Sequence, residues 1–227
     1  MYFRLAAILT NIANLQSRLF RLSAAAFAMS WISVAASGDL GSTNRESDLV
    51  RETVERLSGA TLRHYMTYDF GRARDARAVS VVVAQARAAK LVVQLREQLP
   101  DGLVAFSGTN RWLGDEDHGN NVEVVVAEIE DKYDILRLAR TDAVNYGMTT
   151  NDLIAWFESH QEQIEVDIMQ ASTDMIFGKV LSGPEDMDSF VEELYEFCPD
   201  IVDQGSGNIA DLREMLGERR VLFLWWD

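Results

Sequence analysis

Arg137, Asp142, Asn145, Tyr146, Asp200, Asp203 and Gln204 fall beside expected loops and could act together as a recognition notch. In that arrangement Arg137 offers a planar two-pronged cation to Asp200 and Asp203. The competing reading is structural: the Asp and Asn residues cap turns, and Arg137 neutralises a partly buried acid. Cys198 and His160 supply the types needed for a nucleophile and its base. Both fall on apolar faces of expected helices, where Cys is a small core residue, so Cys198 is assigned a structural place. Asp115-Glu116-Asp117-His118-Gly119 gathers oxygen ligands and an imidazole, but lacks the alternating ligands and distant Glu of a calcium loop. It reads as a solvated acidic loop, and no metal site is assigned. Gly205-Ser206-Gly207 precedes Asn208 without a dinucleotide or phosphate-loop pattern, and Asp200 and Asp203 nearby oppose an anion. No cofactor and no catalytic residue is assigned.

The chain that must position these groups has 227 residues, enough for one large or two small domains with a buried core. It carries 36 acidic against 21 basic residues, a net charge of −15. Such a field repels nucleic acid and anionic lipid and suits a basic protein partner. With one cysteine, no intramolecular disulfide forms and no multi-cysteine metal cluster is possible.

Residues 1–38 contain Arg4, Arg18 and Arg21 but no Asp or Glu, and an apolar run follows Arg21. The order resembles an export signal, with Val34-Ala35-Ala36 supplying small residues for cleavage, or a membrane-proximal segment. This predicts an exported, periplasmic location if the signal is real and a cytoplasmic one otherwise. No membrane span is expected after residue 38.

Residues 39–77 read as a helix, Asn44 to Gly59, then an ambiguous strand and a basic connector. Residues 78–130 read as a strand at Val79–Val83, a helix with an apolar stripe from Ala88 to Leu99, and strands at Leu103–Phe106 and Val122–Ile129. Residues 131–227 repeat that grammar. Asp134–Ala139 is taken as a strand, followed by a helix carrying Leu153, Trp156, Phe157, His160 and Ile164. Paired strands at Ile164–Met169 and Met175–Leu181 come next. Pro184 opens a helix that buries Met187, Phe190, Val191, Leu194 and Cys198 and stops at Pro199. A short helix capped by Asn208 buries Ile209, Leu212 and Leu216, and Val221–Trp226 closes the chain as a strand. The predicted class is α+β, with two βα-rich units. The second has a ferredoxin-like βαββαβ order plus the extra short helix. Trp225 and Trp226 point to opposite faces, one into the core beside Phe190 and Leu194, the other under the short helix or at the surface.

Three stretches carry a family resemblance: Tyr133–Arg137 with Thr141–Tyr146, Glu196–Gly207, and Leu224-Trp225-Trp226-Asp227. They resemble the bacterial domain-of-unknown-function family numbered 4253, from Lys132 to Asp227 and more loosely from Val79. Ala143 stands where that family often has Gly, which implies a tighter turn before Asn145. The resemblance implies a fold unit and carries no reaction. Two functions are open: a non-enzymatic acidic module, immunity- or inhibitor-like, that captures a basic protein, and a hydrolase using Asp142, Asp200 or Asp203 with Arg137.

Overall fold

The computed structural model describes residues 40–66, 74–108 and 120–227. The export-signal reading of residues 1–38, the Asp115–Gly119 run and part of the basic connector lie outside them. The chain divides into two units, the second being Val54–Asp227, and helix α1 spans Leu40–Ser58. Gly59, at φ +67, ends α1 in the left-handed conformation that glycine adopts without penalty.

The second unit holds one mixed sheet of seven strands. They are β1 (Arg63–Met66), β2 (Arg74–Ala84), β3 (Leu103–Ser107), β4 (Asn121–Glu128), β5 (Glu165–Ser172), β6 (Met175–Ser182) and β7 (Val221–Trp225), in the order β1-β2-β4-β3-β5-β6-β7. All neighbours are antiparallel except β3 and β5, which meet in parallel through Ser107 and Gln170. The β-branched runs form the strands as their propensity dictates. Helix α2 (Gln85–Arg96) buries Ala88, Leu91, Val92 and Leu95, one stripe at helical spacing. From its last turn Arg96 crosses to β5, donating to Asp167 at 2.6 Å and to the Ile168 carbonyl at 2.6 Å. At the β5–β6 contact a Cβ on Gly178 would stand 2.4 Å from Val166 Cγ1 and 2.9 Å from the Asp167 carbonyl oxygen. Glycine is what lets these strands approach.

The βαββαβ order is not confirmed, because the segment expected as its first strand is helix α3 (Asp134–Ala139). In six residues, buried Ile135, Leu136, Leu138 and Ala139 fit either period, and local bonds decide. Asp134 accepts from the Glu130 N–H at 2.7 Å and from Arg137 one turn on at 3.0 Å. Beyond it come α4 (Thr150–Ser159), α5 (Met187–Phe197), a widened π-type turn (Ile201–Ser206) and α6 (Ile209–Gly217). Thr149 caps α4 in a reciprocal box with Asp152, and Asn208 caps α6 by accepting from the Asp211 N–H at 2.9 Å. Pro184 precedes the Asp186 cap of α5 and so lies outside that helix rather than in its first turn.

The main core gathers Phe190, Leu194, Cys198, Leu212, Leu216, Leu222, Leu224 and Trp226, together with Leu136, Leu153 and Phe157 from α3 and α4. Trp226 thus takes the core place, its indole donating to the Phe197 carbonyl at 3.3 Å. Trp225 is buried too, 7% exposed, but on the opposite side of β7 from Leu222, Leu224 and the α6 contacts. The expectation that it lies under the short helix or at the surface is corrected.

Candidate functional site

The three stretches singled out in the sequence meet at one carboxylate. Asp200, 5% exposed, stands between the end of α5 and the π-type turn. Its Oδ1 accepts from Gln204 Nε2 at 2.9 Å and its Oδ2 from the Asp227 backbone N–H at 2.9 Å, and the Tyr146 hydroxyl beside it favours the charged form. Burial works to raise the Asp200 carboxyl, but these three groups outweigh it and hold its pKa below the usual carboxylate range. Burial, with the Asp200 carboxylate beside it, pushes the Tyr146 phenol up to about 12, so it keeps its proton.

Neighbouring bonds fix the surroundings. The Asp142 N–H donates to the Thr173 carbonyl at 2.8 Å, and Thr141 Oγ1 to the Ser172 carbonyl at 2.7 Å. Ala143 and Met148 exchange backbone bonds at 3.0 and 3.1 Å, closing a tight loop whose tip is a short 3-10 turn, Val144–Tyr146. The Trp226 N–H reaches the Asp174 carbonyl at 3.1 Å, and Cys198 Sγ donates to the Trp225 carbonyl at 3.1 Å. Asp203 accepts from the Tyr195 hydroxyl at 2.9 Å. The loop tip projects: Val144 is 68% exposed and Tyr146 41%, with Asn145 exposed between them. Ala143 has φ −131, open to any residue, so the missing glycine does not strain this turn.

The segments that meet here, 142–148, 173–175, 196–208 and 225–227, contain Asp142, Asp174, Glu196, Asp200, Asp203 and Asp227 and no Lys or Arg. The structure therefore joins Asp200 and Gln204 directly, with Tyr146 and Asp203 alongside. It does not join Arg137 to Asp200 or Asp203. That guanidinium is bound to Asp131 at 2.8 Å and Asp134 at 3.0 Å, in α3 and the turn before it. The expected Arg–Asp pairing is corrected: once Asp134–Ala139 coils into a helix, Arg137 faces its own first turn.

Cys198 and His160 have separate partners. The Cys198 thiol is fully buried, and burial pushes its pKa up to about 12. His160 stacks on Trp156, ring centroids 4.1 Å apart, and contacts Glu193 at 3.2 Å. Among the described residues no group of three or more His, Cys, Asp or Glu is placed to hold a metal ion, and no helix is long and apolar enough to cross a membrane.

Glu123 on β4 and its partner Ser80 on β2 escaped the sequence reading. The signal was present: one carboxylate inside Val122-Glu123-Val124-Val125-Val126, where alternation alone does not say which face it takes. Tyr195 was also missed, being an unremarkable residue on α5.

An α+β domain with an acidic, aromatic-tipped loop cluster is the class these features define. Residues 123–227, from within β4 to Asp227, match the family described as Domain of unknown function (DUF4253). No curated protein and no solved structure matches the chain.

Proposed function

We propose that this protein is a non-enzymatic binding module that captures a basic protein partner, in the manner of an immunity protein or inhibitor. The observation that carries it is the surface built on Asp200. A rigid loop presents Val144 and Tyr146 to solvent, and the segments around it hold six carboxylates and no base. Exposed apolar and aromatic side chains on a pre-formed turn supply contact area at little ordering cost, and tyrosine is a frequent energetic anchor. The carboxylates around them select positive partners and speed their encounter. A hydrolase at Asp200 would need a carboxyl able to exchange a proton near neutrality, and three neighbouring groups hold this one the other way. The buried thiol of Cys198 is equally unsuited to attack.

The test is capture of host proteins by the immobilised full chain at low and moderate salt. The proposal expects a basic protein retained near stoichiometrically, weakened by salt, and lost on Val144→Asp and on Asp203→Lys with the melting temperature unchanged. Retention that survives both substitutions, or no basic protein at either salt, overturns it.

A further inference from the structure

The buried carboxylate at Glu123 has no part in the surface above. Glu123 is fully buried in β4, a strand held on one side by β2 and on the other by β3. Its Oε1 accepts from Ser80 Oγ at 2.5 Å, Ser80 being fully buried as well, and its Oε2 has no hydrogen-bond partner. The strand registers define its surroundings. Glu123 stands opposite Val82, Val125 opposite Ser80, and Ser80 opposite Arg63, so all share one face of the sheet. Tyr65 of β1, 1% exposed, lies on that face too, with its ring edge-on to Phe106 of β3 at 6.3 Å. From β1 the titratable or charged groups on this face are Arg63 and Tyr65. From β2 it receives the Ser80 hydroxyl and the Val82 side chain, and from β3 the Phe106 ring. The Gly108 N–H beyond β3 binds the Glu123 main-chain oxygen at 2.8 Å. Arg63 is the one charge among the described residues acting on the carboxyl, and Ser80 is the one side chain hydrogen-bonded to it.

A carboxyl so placed leaves one oxygen unpartnered in either form, at far greater cost as an anion than as an acid. Once ionised it must recover water or a cation, and the element that yields at least cost decides the response. Neither β2 nor β4 can leave without breaking two ladders. Strand β1 has four residues, pairs on one side only, and already breaks register between His64 and Met66. Short edge strands with a single neighbour open at the low end of the local-unfolding range.

We propose that Glu123 is a proton-operated latch for β1: protonated and held by Ser80 it keeps β1 closed over the sheet, and on losing its proton it releases β1 and bares the edge of β2. β1 pairs with β2 between Arg74 and Ser80, so that is the stretch whose backbone donors and acceptors its release bares. Burial pushes the Glu123 carboxyl up to about 7, against the smaller opposing pull of Ser80 and Arg63. In the open form it recovers its ordinary acidity, so linkage raises the opening equilibrium by about ten-fold between pH 6 and pH 8.

Hydrogen exchange of the full chain tests this at pH 6 and pH 8, corrected for the intrinsic rate of free amides. The expected result is about a ten-fold loss of protection confined to β1 and the facing β2 amides, and no such loss in Glu123→Gln. Equal protection of the wild type at both pH values, or the same loss in Glu123→Gln, overturns the proposal. Should Glu123→Gln fail to fold, the wild-type carboxyl is titrated directly by carbon NMR. A midpoint near 7 that moves with the β1 amide signals supports the latch, and a midpoint in the ordinary Glu range overturns it.

Discussion

At the residue scale, two buried carboxylates differ in what surrounds them, and that difference sets their acidity. Asp200 has three groups favouring its anion and stays charged, while Glu123 receives one donor and is pushed up to about 7 from 4.5. The sign for Glu123 follows from its raised value. The folded state holds the proton more tightly than the unfolded chain, so its contribution is fully present below pH 4.5 and is lost as pH rises to about 7. Replacing Glu123 by Gln should remove that slope and leave the variant more stable at pH 8 by up to about 3 kcal/mol, an upper bound because opening relieves part of the strain. Urea denaturation of both proteins at pH 5 and pH 8 checks it, and parallel loss of stability in the two would contradict it. In the sequence, Asp200, Tyr146 and Gln204 were legible as polar residues in loops. Their juxtaposition was not, since it depends on segments some 50 residues apart in the chain being brought together by β5, β6 and β7.

Elements explain where the sequence reading held and where it turned. Val79–Val83, Leu103–Phe106, Val122–Ile129 and both strands of the β5–β6 hairpin follow, to within a residue or two at their ends, from β-branched or alternating runs long enough to show their period. Asp134–Ala139 did not, because six residues with four buried apolar side chains satisfy both a strand and a helix, and the choice rests on Asp134 meeting the Glu130 N–H and Arg137. Arg137 was consequently given the wrong partners. Gly178 is the element-scale position with least tolerance, as β5 leaves no space for a side chain there. Gly178→Ala should destabilise by about 1–3 kcal/mol, the range for overpacking. A fall in the denaturation midpoint at unchanged slope is the expected reading, and an unchanged midpoint would contradict the close approach.

For the whole molecule, the sheet does not respect the sequence boundary of the family. The matched segment begins at residue 123, inside β4, yet β5 lies beside β3, which comes from residues 103–107. A fragment of residues 123–227 therefore loses β2 and β3, leaves β5 as a bare apolar edge and strips both neighbours from β4. It should fold poorly or aggregate where the full chain stays soluble, as gel filtration and circular dichroism would show. A cooperative, monomeric fragment would contradict the shared sheet. The net charge of −15 belongs to this scale as well, since it predicts that partner binding weakens as salt rises.

The candidate site is centred on Asp200, which binds Gln204 and the Asp227 N–H and lies beside Tyr146. The most direct test is a double-mutant cycle on Tyr146→Phe and Asp200→Asn, read by chemical denaturation of the full chain. A coupling energy of about 0.5–1.5 kcal/mol is the result expected for a hydrogen bond shared by the two side chains. Strictly additive losses would mean that the loop tip and the Asp200 cluster are independent, and the account of the site would fall.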